Sequence, residues 1–212
     1  MISPSFDSVG SLSNASTNSL TVAKTSAGDY RLGLVALSVF GANKPDNLVV
    51  TWGGVAMTFL AAYSDDYAKN RKVIWYYIID PPTASTNVVV SWTTATTASL
   101  NVMTFKDVDP FDPFGIVAKV SGSSGTTTVN VTAEVGDLVI DGTINETGGK
   151  TVGSGQTQMY NNGVTSAYSL GSYEVATGTP VTMSWNGTNN EWYQMGVALK
   201  PVKSYPKMLL MF

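Results

Sequence analysis

One pattern is written twice along this chain, and the duplication constrains the fold more than any other feature. An apolar strand, a Gly-Asp turn, further strands, a strand ending Ser-Trp and a final amphipathic strand run through Leu20 to Val22, Gly28-Asp29, Val88 to Trp92 and Leu100 to Phe105. The same order returns through Val129 to Val131, Gly136-Asp137, Val181 to Trp185 and Tyr193 to Lys200. Inside these segments residue character alternates. Val181, Met183 and Trp185 fall on one face and Thr182 and Ser184 on the other, while Tyr193, Met195, Val197 and Leu199 oppose Trp192, Gln194, Gly196 and Lys200. A period of two belongs to a strand with one buried and one solvated face. Leu32 to Phe40 and Val73 to Ile79 differ, being almost continuously apolar, so they are expected as central strands or strands covered on both faces.

The connections carry turn chemistry. Gly28-Asp29, Lys44-Pro45-Asp46-Asn47, Trp52-Gly53-Gly54, Asp80-Pro81-Pro82, Gly122 to Gly125, Gly148-Gly149, Asn161-Asn162-Gly163 and Asn186-Gly187 supply the positive-φ or fixed-φ positions that turns need. No long stretch keeps a helical apolar period. The expectation is an all-β chain, an antiparallel two-sheet β-sandwich of jelly-roll-like build with about twelve strands and an internal pseudo-repeat. Its domain is placed at 19–202, with pseudo-repeats 19–121 and 126–202 meeting at Gly122 to Gly125. An extended N-terminal arm, 1–18, precedes it and an apolar tail, 203–212, follows.

Polarity comes from Ser, Thr, Asn and Gly, because only 13% of the 212 residues are charged while 43% are apolar. A formal charge of −3 without a basic stripe argues against nucleic acid as a partner. No apolar run is long enough to span a bilayer, and the first residues lack the basic and apolar regions of a signal peptide. Synthesis in a cytoplasm is therefore expected. The chain has no His and no Cys, which removes imidazole bases, imidazole and thiolate metal sites, thiol nucleophiles and disulfides together. A carboxylate pair is the remaining hydrolytic option, with Glu174 and Glu191 as its candidates. Neither belongs to a closely spaced acidic motif. Asp107, Asp109 and Asp112 crowd one segment and could ligate Ca²⁺, but Asx turns in a Pro-rich corner are the favoured reading.

The order Val50-Thr51-Trp52-Gly53-Gly54, Ile74-Trp75-Tyr76-Tyr77, Pro81-Pro82, Val88 to Trp92 and Val108-Asp109-Pro110 resembles a β-sandwich domain that recurs in tailed bacteriophage virion proteins and bacterial surface proteins. Gly136 to Val139, Gly155-Gln156-Thr157 and Val197 to Pro201 resemble the same domain's later motifs, so the likeness covers roughly Ser19 to Pro201. Lys106-Asp107 departs from it, standing where a small residue and Gly are usual. The resemblance implies a structural role and carries over no catalytic, cofactor-binding or metal-binding residue.

The expected function is accordingly a non-enzymatic virion protein that decorates or cements a capsid or forms part of a tail or fibre. Its partners would be other virion proteins, such as the major capsid protein, and further copies of itself. Met208, Leu209, Leu210, Met211 and Phe212 form an apolar cluster suited to a partner interface. The alternative is a carbohydrate-binding module with Tyr63, Tyr67 and Tyr160 as glycan contacts.

Overall fold

The computed structural model describes residues 2–40, 45–64, 71–146, 148–165 and 167–203. Among these the chain is all β and antiparallel, with no helix. The first half supplies β1 (Ser5–Lys24), β2 (Leu32–Phe40), β3 (Val49–Trp52), β4 (Val55–Ala56), β5 (Thr58–Tyr63), β6 (Arg71–Ile79) and β7 (Thr86–Lys106). The second supplies β8 (Ala118–Gly122), β9 (Thr126–Val131), β10 (Leu138–Asn145), β11 (Thr151–Val152), β12 (Thr157–Val164), β13 (Ala167–Val175), β14 (Val181–Asn186) and β15 (Trp192–Leu199).

Strand pairing explains the duplicated sequence. The first half forms one seven-stranded sheet in which the long strands β1 and β7 pair along almost their whole length, shifting register around Thr17. One sheet of the molecule curls into half a barrel. The later part of β7 leads to the order β1-β7-β2-β6-β5, and its earlier part joins β1 to β3. The second half repeats both arrangements as separate sheets, β8-β15-β10-β13-β12 and β9-β14-β11. What differs is the bend. Thr93-Thr94-Ala95-Thr96-Thr97 keeps β7 extended with β-branched residues, whereas Asn186-Gly187 and Gly122 to Gly125 break the equivalent strands of the second half.

These pairings correct several expectations. There are fifteen strands among the described residues, in three sheets rather than two. Gly122 to Gly125 separates β8 from β9 inside the second half, so the halves divide between Lys106 and Ala118. The polar stretch read as a free arm is, from Ser5, the first part of β1, with its backbone paired to β7 from Lys106 back to Ala98. Backbone pairing is indifferent to side-chain polarity, and Ser11 and Ser13 add bonds to Asn101 Oδ1 (2.8 Å) and Ser99 Oγ (2.9 Å). Asn161-Asn162-Gly163 is strand, not turn, because the two amides are taken up by Lys150 O (3.0 Å) and Asn101 Oδ1 (2.6 Å). β15, expected to be half solvated, is buried at all eight positions.

Three cores account for this burial. Even-numbered residues of β2 (Leu32, Leu34, Ala36) join Trp75, Met103 and Phe105 against Ile140, Ile144, Met195 and Val197, which packs the large sheets of the two halves face to face. Odd-numbered residues (Val35, Leu37, Val39) face Trp52, Val88 and Trp92 inside the first half. Val129, Val131, Val139, Val181 and Met183 fill the interior of the second. β2 is therefore buried at all nine positions by its own chain, and the continuous apolar run follows from that.

At the edge of the contact between halves, Arg71 at the start of β6 bonds Glu146 and Glu191, the latter at 3.1 Å. All three side chains are partly exposed, so the triad contributes modestly. Arg71→Met should lower unfolding free energy by about 1 kcal/mol, a fall of about 3 °C in thermal melts that disappears in high salt. A loss independent of salt would assign Arg71 a packing role instead.

Candidate functional site

A cleft of about 420 Å³ opens at one end of the second half. One wall is the approach to β8, where Gly115 N–H bonds Ala198 O at 2.9 Å and sets Ile116 beside the opening. A second wall is the turn between β9 and β10. There Glu134 N–H donates to Asp137 Oδ2 (2.8 Å) and Asp137 N–H to Glu134 O (3.0 Å), a closure that requires Gly136 at φ 96°. Ala133 and Thr132 continue this wall, and Thr179 reaches it from the turn before β14. The third wall is the chain after β15, from Lys200 to Lys203. Val202 N–H bonds Asp107 O at 3.3 Å, and Pro201 bridges to Val108.

The cleft's charges are mostly committed to structure. Lys200 Nζ and Lys203 Nζ lie 2.8 Å and 3.4 Å from Asp112 Oδ2, and this pairing holds the Asp112 carboxyl below its usual range. Burial pushes the Asp137 carboxyl up, against the pull of the Glu134 N–H. Ile116 is 80% exposed and Val135 74%, and both stand at this end of the molecule. The arrangement offers an apolar seat whose rim carries Glu134 and Asp137 on one side and Lys200 and Lys203 on the other. Among the described residues it brings no nucleophile beside a base.

A second polar cluster lies wholly inside the second half. Asp141 on β10 is 1% exposed. Its Oδ1 accepts from Ser172 N–H (2.7 Å) and Ser172 Oγ–H (2.6 Å), and its Oδ2 from Trp185 Nε1–H (2.7 Å) and Gln194 Nε2–H (2.6 Å). Burial raises its pKa to about 6, the four donors opposing that rise. In the first half the equivalent register position is Val35, between β7 and β6 as Asp141 is between β15 and β13. The sequence signal was available: a lone Asp between Leu138-Val139-Ile140 and Gly142.

The residues singled out in the sequence do not converge. Tyr160 is 4% exposed, packed in the contact between halves, which removes it as a glycan contact. Tyr63 is half-buried, its hydroxyl donating to Ser121 Oγ at 3.1 Å and its ring edge-on to Tyr193. Tyr67 and Met208 to Phe212 lie outside the described residues. Glu174 pairs with Val139 at one end of β10, and Trp192, following Glu191, pairs with Asn145 at the other. That separation is about 20 Å along the strand, too far for an acid pair acting on one bond. Asp109 Oδ1 accepts from the N–H groups of Phe111 (2.9 Å) and Asp112 (3.3 Å), so the acidic segment is an Asx turn. In the same segment Phe114 packs on Tyr77 and Phe111 is 80% exposed. Sequence reasoning passed over Ile116 and Val135, each an apolar residue beside a glycine in a connection. Comparison of the chain with known protein families, with curated proteins and with solved structures found no match.

Proposed function

We propose that this chain is a non-catalytic structural protein of a bacteriophage particle, a β-sandwich subunit that decorates or cements the shell or forms part of a tail or fibre. The observation that carries the reading is the apolar end. Ile116 and Val135 stand open to water around a cleft, a cost that a subunit recovers when an assembly covers them. The resemblance of the ordered V-T-W-G-G, W-Y-Y and V-x-V-x-W segments to virion domains supports it from the sequence. The chemistry agrees as well. Asp109, Asp112, Asp141, Glu146 and Glu191 each serve a turn, an ion pair or a buried network. On this reading the working location is the virion, reached from the host cytoplasm.

The test is sedimentation of particles from the producing culture through a density gradient, with the chain quantified by mass spectrometry against the major shell protein. It should band with particles at a fixed ratio through successive gradients. A protein found only in the soluble fraction, or one that releases sugars from a panel of polysaccharides, would remove the virion reading.

A further inference from the structure

We infer that the cleft at the end of the second half receives the apolar segment Met208–Phe212 of a second copy of this chain. The inference rests on the assembly reading and names the partner. The receiving surface is built from small or apolar groups, Gly115, Ala133 and Pro201, with Ile116 and Val135 exposed beside it. The chain itself carries a matching ligand. Residues 204–212 lie beyond the described part and follow directly from Lys203 at the cleft's rim, and five of them, Met-Leu-Leu-Met-Phe, are consecutively apolar.

Reach and stiffness decide whose segment enters. Four residues, Ser204 to Lys207, separate Lys203 from the apolar run, a tether of at most about 13 Å, and Pro206 disfavours a helical turn at Tyr205. Lys200, Pro201 and Lys203 themselves line the cleft, so filling a chain's own cleft needs a full reversal within that short tether. A neighbour's segment enters without that turn. Charge is compatible, because Lys207 precedes the apolar run, Glu134 stands at the rim, and the lining Lys200 and Lys203 are paired with Asp112. Segment and cleft are different surfaces, so two copies that exchange segments close as a dimer, and copies joined without exchange propagate head to tail to a ring or a filament.

The test uses four samples measured by mass photometry and light scattering over a range of concentrations. They are the full chain, a chain lacking 208–212, the double variant Ile116→Asp/Val135→Asp, and an equimolar mixture of the two altered chains. Both substituted side chains are exposed, so circular dichroism and melting temperature should match the parent. The full chain should form dimers or larger oligomers whose share rises with concentration, and each altered chain should remain a monomer. The mixture should stop at dimers, since it holds one working segment and one working cleft per pair. A peptide of residues 204–212 should bind the shortened chain at least tenfold more tightly than it binds that chain carrying the double substitution. A full chain that stays monomeric, whether from docking on itself or from no docking, overturns the inference. So do a shortened chain that still assembles and a peptide indifferent to the substitutions. The virion reading stands or falls separately, on whether the protein bands with particles.

Discussion

Replacing Asp141 with valine should lower the unfolding free energy by about 5 kcal/mol at pH 4 and by only about 2 kcal/mol at pH 7, measured by urea titration. The substitution gives the second half the residue type that the first half carries at the same register position, Val35, which is fully buried. It fails because the surroundings differ. Around Val35 the interior is Leu37, Val39, Leu100 and Val102, whereas around Asp141 four donors converge on the carboxyl. Ser172 Oγ–H and the Gln194 amide can turn away, but Ser172 N–H is fixed by the strand and Trp185 Nε1–H by a wholly buried ring. Two stranded donors at about 2.5 kcal/mol each give the larger figure.

The pH dependence follows from the raised pKa. In the unfolded chain an aspartate loses its proton near 3.8, while in the folded protein Asp141 holds it to about 6. Between those values the folded state binds more protons than the unfolded one, so stability falls as pH rises through the window and levels off above it. The parent loses about 3 kcal/mol this way and the valine variant loses none, which narrows the gap between them by that amount. Other titrating groups are common to both chains and cancel in the difference. A gap that is constant from pH 4 to pH 7, or wider at pH 7, would mean that Asp141 is not held protonated by burial.

Much of this architecture could be read from local pattern, and the exceptions have a common physical origin. Alternation in Val181 to Trp185 and the unbroken apolar run of β2 report directly on which faces are dry, and both were legible. The Trp52-Gly53-Gly54 turn was legible as well, since φ values of 55° and 85° at the two glycines demand residues without a Cβ. Pairing between distant strands leaves no such local mark. The Ser- and Thr-rich start of β1 resembles a free arm because its order comes from the backbone of β7. Tyr160 resembles a loop aromatic because the Asn side chains that follow it are satisfied elsewhere, Asn161 by the Lys150 carbonyl and Asn162 by Asn101 on the distant β7. The cleft was hidden for a related reason: its three walls come from segments about 15 and 65 residues apart that meet only when β15 lies between β8 and β10.

The contact between the two halves predicts the other large effect. Trp75 on β6 is 1% exposed and crosses the space between the large sheets, where its ring fills the place a side chain at position 142 would occupy. A Cβ added at Gly142 would meet Trp75 Cζ2 at 2.8 Å, closer than such atoms approach. Trp75→Ala should therefore cost about 4 kcal/mol, combining lost apolar burial with a cavity that two stiff sheets cannot close. Gly142→Ala alone should cost about 1 to 2 kcal/mol, because the indole must shift inside a packed core. The informative sample is the double variant. With the indole removed, the new methyl group enters vacant space, so Gly142→Ala becomes neutral or mildly stabilising in the Trp75→Ala background. The coupling between the two sites should reach about 1 to 2 kcal/mol in a double-mutant cycle read by urea unfolding. Strict additivity would show that the halves do not meet through this pair, and with it would go the assignment of Trp75 as the residue that locks one large sheet against the other.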